Sequence, residues 1–235
     1  MNADPGGHLT LPEELLLLSL HPSTGRRLCR ARFLQYGVAG AVLAELALGG
    51  HVAEERGRVV VTGPLPPADP LLAAALAELT TGAAGAAGAR GKGPGAKGPR
   101  TRAWVRRAGR RLEEPWLDRL VERGALRRES RRFLRLIPYH CHPVASADLT
   151  TPARIRLDEA RHAGFPDPRS RALGALLGAI DVHARLYPGW DARRTRRELR
   201  RLTRQEWPAE AVYRNVRQDK SSDGSASAGA SAGAG

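Results

Sequence analysis

The triplet His140-Cys141-His142, with His162 or His183 further along, holds the residue types of a zinc site. In extended chain, successive side chains point to opposite faces, so the triplet cannot turn all three donors onto one ion, and no metal is expected. Asp181 and His183 lie in an apolar segment, where a satisfied polar pair or helix-edge groups are the simpler reading than an acid and a base. The stretch 81–100, TGAAGAAGARGKGPGAKGPR, has the glycines of a phosphate cradle. A P-loop needs Ser or Thr after Gly-Lys and a strand before the loop; neither is present. No H-E-x-x-H, G-x-S-x-G or dinucleotide-binding glycine pattern occurs, so neither an enzyme nor a cofactor is expected. The remaining chemistry is that of arginine. In GALRRES-RRFLRLI, Arg127, Arg128, Arg131, Arg132 and Arg135 interleave with Phe133, Leu134, Leu136 and Ile137. Read as a strand, the stretch would turn charge one way and apolar surface the other. Its outward face suits an anionic membrane, a nucleic acid or plain solvent.

Charge is distributed unevenly. The 235 residues carry a net charge of +14, yet residues 1–80 hold 6 arginines against 8 acids, while residues 81–220 hold 32 basic residues against 15 acidic ones. An anionic partner therefore meets the second half. Only three of the 38 basic residues are lysines, Lys92, Lys97 and Lys220. The planar fork of arginine suits bidentate phosphate contact, although a GC-rich genome gives the same bias. Two cysteines far apart, Cys29 and Cys141, make no disulfide framework and fit a reducing compartment. The N-terminal MNADPGG has no basic region before an apolar run, and the apolar stretch 36–48 is interrupted by Glu45, so any membrane contact is expected to be peripheral, at the cytoplasmic face.

These residues must be positioned by helices. Thr10 with Glu13 makes a capping box ahead of LPEELLLLSL. A long helix over roughly 26–48 carries Leu34, Val38, Val42 and Leu46 at a four-residue step, with Gly37 and Gly40 admitting a close neighbour. HVAEERGRVVVTG reads as a hairpin turning at 54–57, and DPLLAAALAEL as a helix capped by Asp69. The same order then recurs: LALGGHVAEERGRVVV matches LVERGALRRESRRFLR at an offset of 74, each copy a helix, a glycine stop and a hairpin. This winged-helix-like unit used twice makes RRFLRLI the second wing. Further on, the segment from Asp167-Pro168 is apolar on nearly every face from Leu173 to Val182, as a central helix should be. The segment from Asp191 carries seven arginines around a thin stripe, EWPAEAVYRNV gives a last short helix, and 221–235 has nothing to bury. The expected fold is mostly α. A flexible start over 1–7 precedes one helix-rich domain over 8–217 with two β-hairpins and a flexible loop at 81–100, and a disordered tail fills 218–235.

A basic wing beside a helix is a nucleic-acid docking geometry, but the helix that would enter the groove, 110–123, carries Glu113, Glu114, Asp118 and Glu122. At a membrane, five wing arginines contribute at most ~5 kcal/mol, which calls for apolar help of ~1.5–3 kcal/mol each from Phe133 and Leu134.

Taken together, LTLPEELLLLSL, YGVAGAVLAELALGG, GRVVV, DPLL, LVERGAL, RRFLRLIPY and ALLGAIDVHARL, in this order over about 8–215, resemble the Golgi phosphoprotein 3 family. The resemblance implies a helical domain whose basic face binds phosphatidylinositol 4-phosphate at an anionic phospholipid surface, assisted by a hydrophobic hairpin. Of the family's pocket residues, the tryptophan falls on Arg30, one arginine on Ala39, and a pair of arginines on Arg110 and Glu113. Only Arg110 matches. The expected headgroup ligands are therefore Arg110, Arg107 and Arg30, with Arg131, Arg132, Phe133, Leu134 and Arg135 touching the membrane. Nucleic acid and a protein-only adaptor role are the alternatives, and protein partners are possible in either case.

Overall fold

Two helices that carry the long apolar and basic stretches stop in the same way. The computed structural model describes residues 8–63, 65–87, 98–133, 137–189 and 192–230. In it α2 (Ala31–Leu48) and α4 (Thr101–Glu122) each run into a glycine with positive φ, Gly50 at 72° and Gly124 at 68°. A left-handed residue just past a helix turns the next amide back onto the last free carbonyls. His51 N accordingly donates to Leu46 O at 2.9 Å, and Ala125 N to Leu120 O at 3.0 Å. The sequence repeat is thus a repeated helix stop.

A hairpin follows each stop. β1 (Val52–Glu55) and β2 (Arg58–Val61) pair antiparallel around Arg56-Gly57, both at positive φ, the two-residue turn that matches strand twist. β3 (Glu129–Phe133) and β4 (Ile137–Cys141) form the second, with Phe133 opposite Ile137. Here the copies part. β1 starts two residues after its glycine and β3 five residues after its own, with an isolated bridge from Leu126 to Val144 in between. RRFLRLI is therefore not the single alternating strand expected. It supplies the end of β3 and the start of β4, two strands that pair antiparallel. Leu134 and Arg135 lie outside the described residues.

The core is assembled by helices of opposite character. α1 (Leu11–Ser19) is buried along its whole length, and Thr10 N donates to Glu13 Oε2 at 2.8 Å as the capping box requires. α2 packs on α1, α4, α6 (Pro168–Ala179) and α9 (Trp207–Ala230). Gly109 makes the α2–α4 contact possible, since a Cβ there would stand 2.4 Å from Gln35 O. At Gly40 a Cβ would meet Val212 at 2.5 Å and Leu176 at 2.8 Å, which confirms the close approach expected there. α6 is the central helix foreseen, buried from Ala172 to Ala179 and capped by Asp167 accepting from Ser170 N. Around it stand α5 (Thr150–His162), α7 (His183–Leu186) and the arginine-covered α8 (Ala192–Gln205), whose Leu199 and Leu202 are buried.

Two boundaries differ from the sequence reading. α3 (Pro70–Ala87), capped by Asp69 through Leu71 N and Leu72 N, runs into the stretch expected to be loop from 81, because alanine sustains a helix where glycines are spaced. Residues 88–97 lie outside the described residues; beyond them Val59 N donates to Pro99 O, so 99 and 100 line the first hairpin. α9 has 24 residues instead of forming a short helix, and helix continues to Ala230 across most of the tail read as disordered. α2 is the one described helix long and apolar enough to cross a bilayer, and 67% of it is buried in this fold. Overall the molecule is mostly α, with nine helices among the described residues and two small two-stranded sheets.

Candidate functional site

α4 buries Trp104, Val105, Ala108, Trp116 and Leu117, which leaves Arg102, Arg106, Arg107, Arg110 and Arg111 outside. Arg107 and Arg110 are exposed one helical turn apart, and neither makes an ion pair among the described residues. Glu113, on which the second of the family's paired arginines falls, is turned inward. Its side chain is 5% exposed and Arg27 holds it at 2.8 Å. Ala39 is fully buried. Arg30, the N-cap residue of α2, pairs with Asp223 on α9 and lies 5.5 Å over the Phe33 ring. None of Arg30, Arg107 and Arg110 lines the cavity or the cleft described below.

The second wing uses part of its charge locally. Arg127 pairs with Glu129 at 2.7 Å, and Arg128 with Glu114 at 2.7 Å and with Asp118. Arg131, Arg132 and Phe133 stand opposite Tyr139, Pro138 and Ile137 in the ladder. Behind the wing a cavity of about 400 Å³ is lined by Arg26, Arg27, Cys29, Leu117, Cys141 and His142. The triplet does not alternate as an extended chain would: His140 is exposed against Ser130 Oγ at 3.2 Å, while Cys141, the last residue of β4, and His142 beyond it are both buried. Burial, with Arg128 next, pushes the His142 imidazole below its ordinary range, so it is neutral at neutral pH. No group of three or more His, Cys, Asp or Glu among the described residues could hold a metal. Asp181 pairs with Lys220 just past the end of α6, and His183, the first residue of α7, is buried with Nδ1 unpartnered, so the two are helix-edge groups and not a polar pair.

Sequence reasoning missed a cluster where α2, α4 and α9 meet. Asp219 on α9 takes Arg32 Nε at 3.0 Å, Arg106 Nη2 at 3.0 Å and the Tyr36 hydroxyl at 3.0 Å. Arg32 Nε also donates to the Tyr36 hydroxyl at 2.7 Å. Beside it opens a cleft of about 640 Å³ lined by Arg100, Arg102, Arg106, Arg204 and Arg214, with Gln218. Its carboxylates, Glu54 and Glu210, are engaged by Thr101 Oγ1 and Arg214. The four-residue spacing of Arg32 and Tyr36 was visible in the sequence. Their partner was not, because it sits in the stretch read as disordered.

Helices stopped by glycine, two β-hairpins and an arginine-rich surface define a helix-rich domain. The chain belongs to the Golgi phosphoprotein 3 (GPP34) family, whose sequence model matches residues 11–218. A search of curated proteins finds no match. Membership is consistent with lipid or protein binding, and the family is not known as one of enzymes.

Proposed function

We propose that the protein is a peripheral membrane protein that binds the phosphorylated headgroup of an anionic lipid through its arginine-rich face, at the cytoplasmic side of a membrane. Phosphatidylinositol 4-phosphate is the headgroup that family resemblance implies. The observation carrying this reading is the pair Arg107 and Arg110, exposed one turn apart with no carboxylate partner among the described residues, beside a Glu113 already held by Arg27. Guanidinium forks free of internal partners are the groups that pair bidentately with phosphate. The second wing, with Arg131, Arg132 and Phe133 in β3, adds charge and apolar contact at the same membrane. Diffuse attraction alone gives about 1 kcal/mol per basic residue. With Arg127 and Arg128 tied to acids, the wing falls short of stable binding without headgroup recognition and apolar insertion.

Co-sedimentation with phosphatidylcholine vesicles containing phosphatidylinositol 4-phosphate, or phosphatidylserine at matched charge, tests this beside a duplex-DNA titration over salt. Phosphoinositide-selective pelleting that survives moderate salt is expected, and the double variant Arg107→Ala/Arg110→Ala reduces it about ten-fold, as two charge-assisted contacts should. Tight DNA binding without pelleting would establish the nucleic-acid reading instead. Neither activity would leave a protein-only adaptor.

A further inference from the structure

We infer that Arg32, Tyr36 and Arg106 form an anion cradle occupied in this structure by the chain's own Asp219, and that a phosphate monoester takes the cradle when the end of α9 lifts. The inference rests on the anionic-lipid reading above and assigns its headgroup a particular seat.

Charge balance is the first argument. Two guanidiniums from separate helices and one phenol converge on a single carboxylate whose side chain is 12% exposed. A carboxylate brings one negative charge and two oxygens. A phosphate monoester brings about −1.5 to −2 and three acceptor oxygens, so it matches two guanidiniums where Asp219 matches one. The second argument is how α9 is held. Among its described side chains the last buried apolar one is Val216, at 2% exposure. From 217 to 223 the tethers are polar: Arg102 to Gln218, the cradle to Asp219, Lys220 to Asp181 and Arg30 to Asp223. The sequence beyond, SSDGSASAGA, is rich in poor helix formers. A segment fastened by charge without apolar burial yields to a better-matched charge. The third argument is space. The cleft of about 640 Å³ shares Arg102, Arg106 and Gln218 with this region, and its size suits a headgroup whose phosphate enters the cradle. Lifting 217–223 also frees Arg102 and Arg106, which precede Arg110 on α4 at four-residue steps.

Asp219→Asn in the full chain tests the inference, with Glu159→Gln, an exposed residue on α5, as a control for the same charge change. Removing the internal competitor should tighten binding to phosphatidylinositol 4-phosphate vesicles about ten-fold, since an occupied site lowers apparent affinity by its free fraction. Matched phosphatidylserine vesicles, whose phosphate is a diester, should gain little. Adding Arg32→Gln and Arg106→Gln should abolish the gain. No gain from Asp219→Asn while the wild type still pellets sinks the cradle and leaves the lipid reading intact; pelleting by neither protein sinks both. Equal gains on both lipids, or with Glu159→Gln, reduce the effect to diffuse charge and overturn the cradle. A measurement on the wild type avoids any folding defect of the variants. Hydrogen exchange over 217–223 should accelerate with phosphoinositide vesicles. Acceleration with soluble inositol phosphate as well would extend the site to free monoesters, and no acceleration with either would overturn the proposal.

Discussion

Glu13 is fully buried yet charged, and its surroundings explain how. Burial opposes ionisation, but hydrogen bonds from Arg119 and from Thr10 N and Oγ1 outweigh it and hold the carboxyl below its usual value of 4.5. Arg123 adds a contact at 2.8 Å. A carboxyl lowered on folding stabilises the fold above its unfolded value, and that contribution is lost as pH falls through the folded value. Acid titration of unfolding should therefore show stability declining below about pH 4.5, with a flatter limb in Glu13→Gln. Glu13→Ala, which leaves Arg119 and Arg123 without their shared partner, should cost about 3–5 kcal/mol in denaturant melts at pH 7. Arginines divide in the same way. Arg169 is tied to Glu45 at 3.0 Å and to Glu14 at 3.3 Å, whereas Arg110 is exposed and unpaired among the described residues. Arg169→Ala should lower the melting temperature by several degrees. Arg110→Ala should leave it within a degree or two and weaken vesicle binding instead; a reversal of these two effects would remove Arg110 from the site.

At the scale of elements, contact between α2 and α4 sets where the basic face lies, and Gly109 controls that contact. With a Cβ 2.4 Å from Gln35 O, a backbone atom that cannot swing aside, Gly109→Ala must push the helices apart. Overpacking of this kind costs about 1–3 kcal/mol, seen as an earlier denaturant midpoint. The second hairpin gives a complementary test. If the wing meets lipid, Phe133→Ser should lower vesicle binding several-fold and leave the thermal melt in place. A fallen melt with unchanged binding would put Phe133 in the fold's own packing.

For the whole molecule, a net charge of +14 makes long-range attraction to anionic surfaces unavoidable, and salt separates it from recognition. The screening length falls from about 10 Å at 0.1 M to about 3 Å at 1 M, so binding to phosphatidylserine vesicles should collapse over that range. Preference for the phosphoinositide should outlast it, because contact pairs are screened less than distant charges. Family, fold class, both helix stops and the order of elements were legible in the sequence, since capping residues, glycine stops and apolar periodicity act over a few residues each. Buried α6 and arginine-covered α8 were legible for the same reason. The division of RRFLRLI between β3 and β4 was not, because the two copies of the repeat pair their strands in different registers, a choice made by cross-strand partners. Helix beyond 217 was not legible either: its serines, alanines and glycines have no apolar face, and what fastens it are charges on α2 and α4 that only packing brings near. For the site, composition marked arginine as the chemistry. Tertiary structure decided which guanidiniums are already matched, as at Arg27, Arg30, Arg32, Arg106 and Arg169, and which stay exposed without a described partner, as at Arg107 and Arg110. These ion pairs join residues 86 to 193 positions apart, and no local pattern encodes that distance.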